Sequence, residues 1–308
     1  MVKKLPRWQK EQKQRRVSQT RLMIGRLLAA VVVIFTAGLL VGFGGILKRS
    51  LWNGQTRLTL AVASRPVRVI SFSPQEQSLV FLTFADNTYL EAIHGYGNYL
   101  LESIYPLGEL EGKGGGGALL AKSLQENLGL VIDGYISIPN SEFRIQNSES
   151  EAKGGFIGIV VSLLKNQGET NLNRWDLIRL WWEAGKVRKD KINLVNLDKP
   201  LDPERLEGII GPYFLDEKIR EEALTIAVLN TTNQPGLAAQ QARIIKNLGG
   251  RIVSLGDAAD EKCQIRSARK NKESQTVKRL AQIFGCPWAG EDLLGQRADL
   301  VLVLGEMI

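Results

Sequence analysis

The sequence predicts an α/β protein: an N-terminal transmembrane helix followed by two mixed α/β extracytoplasmic domains. Three observations carry that reading. A 21-residue uncharged run, Leu27 to Leu47, lies between basic flanks. Strand-like and helix-like apolar patterns alternate after it. A charged stretch, Asp216 to Glu222, divides those patterns into a longer and a shorter region. At 308 residues and 44% hydrophobic content, the chain has the length for two domains and the apolar residues to give each a core, which excludes a wholly disordered protein.

The net charge of +8 belongs to one end. Residues 1–26 carry nine Lys/Arg against the single acid Glu11, which leaves 31 basic and 31 acidic residues after Arg26. A neutral body disfavours a nucleic-acid partner, whose backbone demands a basic face. Residues 1–26 thus read as a basic cytoplasmic tail.

Residues 27–47 read as a transmembrane helix. At 1.5 Å per residue the run spans about 31 Å, the thickness of a bilayer core. A cleaved signal peptide has a shorter apolar region, nothing directly after the run resembles a cleavage site, and the small-x-small pattern Ala61-Val62-Ala63 lies well beyond it, across Lys48, Arg49 and Arg57. The +8 flank faces only Lys48 and Arg49 on the other side, so the tail is expected in the cytoplasm and the rest of the chain outside. The lipid bilayer is therefore the first expected partner, and the cell membrane the expected location. Ser50 to Arg57 reads as a short linker, with Trp52 either at the outer interface or an ordinary linker residue.

The longer region, residues 57–215, begins with apolar runs at Leu58 to Ala63, Val67 to Ser73 and Leu79 to Phe84, the last two joined by the turn Pro74 to Gln77. The glycines 114–117 read as a flexible entry to a helix over Ala118 to Gly129, whose leucines 120, 124 and 128 keep one face. A strand is expected at Val131 to Ile138, then a polar loop, Asn140 to Lys153, with a short strand at Phe143 to Ile145. Helices are expected at 156–165 and 173–186, the second capped by Asn171 or Asn173, with Trp175, Ile178, Leu180, Trp181 and Trp182 supplying its apolar surface. Asp202-Pro203 reads as a helix start, with Asp as the cap and Pro at the first helical position.

The shorter region, residues 223–308, alternates most clearly. Strands are expected at Leu224 to Asn230, Arg251 to Leu255, Cys263 to Ala268 and Ala298 to Leu304. Helices are expected at Gly236 to Leu248, which Gly249-Gly250 ends, and at Glu273 to Phe284.

Several motifs invite chemistry and lack its parts. Gly108 to Lys113 departs from a phosphate loop, which needs four residues before Gly-Lys and a hydroxyl after it; here the gap is three and Gly114 follows. His94 is the only histidine, which leaves no histidine-rich metal site and reads best as a surface residue in a turn. Cys263 and Cys286 are too few for a thiolate zinc site, and no metal is expected. Outside the cytoplasm they are expected to pair as a disulfide, the alternative being two buried thiols.

Ser71-Phe72-Ser73-Pro74, Phe84 to Leu90, His94-Gly95-Tyr96-Gly97, Gly117 to Leu120 and Asn127 to Tyr135 resemble, in order, the catalytic domain of the LytR-CpsA-Psr family. Ala227 to Thr232, Pro235 to Ala238, Gly249 to Val253 and Ala298 to Gly305 resemble that family's C-terminal domain. The resemblance implies a membrane-anchored, extracytoplasmic protein of the bacterial envelope. Enzymes of the family move glycopolymers from a polyprenyl-pyrophosphate carrier onto peptidoglycan, usually with magnesium.

The departures fall on the chemistry. Where those enzymes carry Pro-Arg-Asp-Thr, this chain has Ala85-Asp86-Asn87-Thr88, and the family's Arg-Ser-Asp aligns near Ala63-Ser64-Arg65. An acid replaces a phosphate-binding arginine, and an amide replaces a carboxylate. Arg65 and Arg68 are the candidate compensating cations, although strand alternation argues against their sharing a face. Arg65, Arg68, Asp86 and Asn87 are thus the candidate ligand-binding residues. The expected function is binding of a wall glycopolymer, a polyprenyl-linked precursor or an envelope partner, without catalysis and without a cofactor. The alternatives are a transferase with rearranged charges, which alone would need magnesium, and a tether that spaces the second domain from the membrane.

Overall fold

The computed structural model describes residues 50–305, except 111, 113–114, 139–147, 198–202, 260–261 and the side chains of 203–205. The expected tail and transmembrane helix, the strand at Phe143 to Ile145 and the Asp202 cap lie outside the described residues. Among the described residues no helix is long and apolar enough to cross a membrane. Leu51 to Ile308 form one compact unit with two larger sheets and a small hairpin. The expected mixed α/β architecture is what the fold shows.

The first sheet is built on β1 (Leu58–Ala63), β2 (Arg68–Ser73) and β3 (Ser78–Phe84), an antiparallel meander. β6 (Gly134–Ser137) adds parallel to β1, β7 (Glu169–Thr170) pairs with β6, and β8 (Ile192–Leu197) lies parallel to β3, giving the order β7-β6-β1-β2-β3-β8. Period-two alternation sends Leu58, Leu60, Ile70, Phe72 and Phe81 to one face, under α3 (Glu149–Leu164) and α4 (Arg174–Lys186). Ala61, Val69, Val80 and Leu82 go to the other, under α1 (Leu101–Glu109), α2 (Gly115–Leu128) and α5 (Pro203–Phe214). Because both faces are covered, the three central strands are apolar almost throughout. A two-stranded hairpin, β4 (Tyr89–Ala92) and β5 (Gly97–Leu100), follows β3.

A six-residue helix, α6 (Glu217–Glu222), occupies the charged stretch and leads into the second sheet, order β10-β9-β13-β11-β12. Here β9 (Thr225–Asn230), β10 (Arg251–Asp257) and β13 (Leu300–Leu304) are parallel, β11 (Gln264–Ser267) is antiparallel to β13, and β12 (Trp288–Gly290) forms an edge. α7 (Leu237–Asn247) and α8 (Gln275–Phe284) cover one face over Ile226, Val228, Leu300 and Leu302. Cys263 and Cys286 are joined as a disulfide there, with Cα atoms 5.0 Å apart.

Several expectations are corrected. Gly115 to Gly117 are not a flexible entry: they lie inside α2, where α1 packs backbone to backbone. A Cβ on Gly116 would collide with the Tyr105 carbonyl, and one on Gly117 with the Tyr135 ring, so close approach is what these glycines supply. α3 begins at Glu149, inside the expected loop, and the strand expected at Val131 to Ile138 is only four residues long. α1, β7, β8, α6 and β12 carry too few periodic residues for their patterns to be read in advance.

Trp52 is neither interfacial nor a linker residue. It is 1% exposed, packs edge to face on Phe72 at 5.8 Å, and donates from Nε1 to Thr56 O at 2.7 Å. The segment before β1 is therefore part of the core. On α4, a capping box of Asn173 and Asp176 fixes the start, and Leu177, Leu180 and Ala184 face inward. Ile178, Trp181 and Trp182, expected to supply the apolar face, are exposed instead.

Candidate functional site

The four candidate residues lie at one end of the first sheet, where β1 and β3 finish and β2 begins. The β1–β2 turn presents Arg65, and the turn after β3 presents Asp86 and Asn87, both exposed. Arg65 is 80% exposed at its side chain and pairs with Glu102 of α1 at 3.4 Å. Arg68 opens β2 and is buried; its Nη1 donates to Ser64 Oγ at 3.4 Å. Burial lowers the Arg68 pKa, and the charge of nearby Asp86 opposes that shift.

The structure thus brings Arg68 and Asp86 together and gives Arg65 to Glu102. Arg65 faces Glu102, and Arg68 and Asp86, of opposite charge, sit at the same end of the sheet. Magnesium does not fit these residues. Glu102 is engaged with Arg65, Asn87 brings no charge, and a hard divalent cation needs several free oxygen ligands. Among the described residues no group of three or more His, Cys, Asp and Glu side chains is gathered closely enough for a metal ion.

Beside this end stands a second group that sequence reasoning missed. Tyr105 donates to Glu169 Oε2 at 2.9 Å, and burial first, then the neighbouring carboxylate, pushes its phenol up to about 12. Tyr135 is raised by burial and by Glu169 and Glu109. Both phenols stay neutral donors at physiological pH. Nothing local marks these residues, because α1 and β7 bring them together from distant stretches of chain.

A cleft of about 600 Å³ opens between the β4–β5 hairpin, α2 and the start of α7, lined by His94, Lys122, Glu126, Gln234, Gln240 and Gln241. His94 sits at the hairpin tip with φ 66°, a left-handed conformation that turns accept, and it is exposed. Gln241 donates to Glu126 at 3.4 Å across the cleft floor, and burial raises the Glu126 carboxyl.

That floor is part of a broad contact between the two larger sheets' layers. Arg279 of α8 pairs with Asp133 at 2.7 Å and donates from Nη2 to Arg57 O at 3.2 Å. Arg243 of α7 pairs with Glu207 at 2.7 Å, and Asn247 donates to Gly129 O at 2.9 Å. Ile219, Ile244 and Leu248 pack on Val131.

The fold is that of an α/β protein with two larger sheets in one compact unit, and its candidate anion site pairs Arg65 with Glu102. Residues 223–307 match the sequence profile of the family described as "LytR cell envelope-related transcriptional attenuator", in the region where the sequence resembles that family's C-terminal domain. No curated protein sequence matches the chain. Among solved structures, the Lin1025 protein from Listeria innocua is similar at 12% identity over 52% of this chain and 97% of that one, with TM-score 0.39. TagT bound to LIIa-WTA is similar at 11% identity over 51% and 89%, TM-score 0.38, and B. subtilis TagV at 10% over 51% and 95%, TM-score 0.37. Similarity at this level carries no argument about the present chain's ligand or activity.

Proposed function

We propose that this chain is a single-pass cell-envelope protein, its N-terminus in the cytoplasm and its two α/β modules outside, that binds a wall glycopolymer, a polyprenyl-linked precursor or an envelope partner without transferring it. The family profile that residues 223–307 match supports the envelope assignment. The apolar run between Arg26 and Lys48 supports the anchor. One observation carries the non-catalytic reading: Arg65 is paired with Glu102, at the end of the sheet where Asp86 stands in the place of the arginine that the resemblance leads one to expect. Transfer from a pyrophosphate needs uncompensated cationic donors where charge develops, and each charged hydrogen bond lost forfeits about 1.5 to 3 kcal/mol.

The test reconstitutes the full chain in liposomes and adds a polyprenyl-pyrophosphate-linked glycan with magnesium, following binding and turnover together. The expected result is binding without turnover above the protein-free background, unchanged by Asp86→Ala. Two lost contacts correspond to a slowing on the order of 100-fold or more. Robust magnesium-dependent transfer that Asp86→Ala abolishes establishes the rearranged-charge transferase in its place.

A further inference from the structure

Among the described residues, α4 carries an exposed aromatic face that the proposed function leaves unused. Ile178 is 46%, Trp181 42% and Trp182 60% exposed, and the spacing of three and four residues puts all three on one side of the helix. Trp181 and Trp182 lie 6.4 Å apart, and the Lys186 ammonium sits 5.4 Å from the Trp182 ring. Two neighbouring indoles turned to solvent are costly for a helix whose opposite side already fills the core with Leu177, Leu180 and Ala184.

Two independent features say what covers them. The first is position along the chain. Leu51 N donates to Asp176 Oδ2 at 3.1 Å and Arg179 Nη1 donates to Trp52 O at 2.9 Å, so the entering segment is clamped onto α4 itself. Only residues 48–50 separate Leu51 from the apolar run. Four Cα steps reach about 14 Å at most, and Trp182 lies about 9 Å along the helix from Asp176. A chain leaving a bilayer at Leu47 therefore has this face within reach of the headgroups.

The second feature is charge. From Arg174 to Lys191 there are six basic residues, at 174, 179, 186, 188, 189 and 191, against Asp176, Glu183 and Asp190. Lys186 pairs with Glu183 at 2.8 Å and Arg188 with Asp190 at 3.0 Å, and Asp176 is fully buried in the capping box, so the positive excess lies on the exposed Arg174, Lys189 and Lys191. Indoles flanked by exposed cations are the composition of a surface that sits at the membrane–water interface beside anionic lipid.

The geometry points to the Ile178/Trp181/Trp182 face of α4 as a docking surface for the outer leaflet of a bilayer containing anionic lipid, holding the folded unit against the membrane rather than on a free tether. This inference rests on the anchored topology proposed above, and the experiment separates the two. The full chain is reconstituted in liposomes of phosphatidylcholine with or without phosphatidylglycerol, and tryptophan fluorescence is quenched by lipids spin-labelled near the headgroup. Trp181→Ser/Trp182→Ser is expected to lower the lipid quenching by roughly a third or more, two of the six tryptophans being removed. Lys186→Glu/Arg188→Glu, which leaves every tryptophan in place, is expected to lower quenching in the anionic liposomes and not in the neutral ones. A carbonate-resistant chain whose quenching is unchanged in both variants overturns the docking and leaves the anchor standing. A chain that carbonate extracts overturns both. Protection of the indoles from acrylamide that grows with protein density, without lipid quenching, assigns the face to a second copy and also overturns the proposal.

Discussion

Arg279 Nη1 lies 2.7 Å from Asp133 Oδ1, and the two side chains are 3% and 5% exposed. The pair joins the helix α8 of the C-terminal module to the approach of β6 in the first sheet. Asp133 Oδ2 also accepts from Thr59 N at 2.8 Å, so both carboxylate oxygens are engaged. A buried ion pair of this kind adds little over a well-packed apolar pair, yet removing one member strands the other charge.

Arg279→Met is therefore expected to destabilise the protein by about 3 to 5 kcal/mol, and Asp133→Asn by a similar amount. The double variant is expected to be less damaging than the two single losses added together. Chemical denaturation of the full chain in detergent micelles reads all three. Additive losses in the double variant would show that the two residues act separately.

Glu126 offers a pH-dependent prediction. Its pKa is raised by burial first, with hydrogen bonds from Gln241 and Gln125 and the charge of Lys122 opposing the shift. A carboxyl raised in the folded state favours folding when protonated, so its contribution is present below the unfolded value, about pH 4.3, and is lost as pH rises through the higher folded value. Glu126→Gln, which keeps an acceptor for Gln241, is expected to melt above the wild-type protein at neutral pH and to match it below about pH 4. Equal melting temperatures at pH 7 would refute the argument.

Peptide mapping is expected to recover Cys263 linked to Cys286 in protein isolated without reducing agent. The cysteines are 23 residues apart in sequence. Closing a loop of that size stabilises by about 3 kcal/mol on the chain-entropy account, so reduction is expected to lower the denaturation midpoint clearly. Recovery of two free thiols contradicts the pairing.

Topology is read by labelling in intact cells. Leu5→Cys is expected to be protected from a membrane-impermeant thiol reagent, and Ser150→Cys, at the exposed start of α3, to react. The reverse pattern places the basic tail outside and removes the basis for the envelope reading.

The strands β1, β2, β3, β9, β10, β11 and β13 and the helices α4, α7 and α8 were legible because their signals are local: unbroken apolar runs, Asn171 or Asn173 at the start of α4, and Gly249-Gly250 at the end of α7. The replacement of a basic motif position by Asp86 was equally legible, since it needs only the order of residues. The short elements α1, β7 and β12 were not, because their residues are held by partners far away in the chain.

By itself, then, the amino-acid order determined the fold class, the concentration of charge in the first 26 residues, and the absence of a phosphate-loop pattern. Only the tertiary structure decided which apolar residues are core and which are surface. Trp52 and Trp182 have the same side chain, yet the first is 1% and the second 60% exposed, because β2 lies against one and the other stands on the outer side of α4. It likewise decided that Arg65 pairs with Glu102. Periodicity assigns a side chain to a face of its own element; what covers that face, and which charge stands opposite, depends on contacts between residues that are distant in sequence.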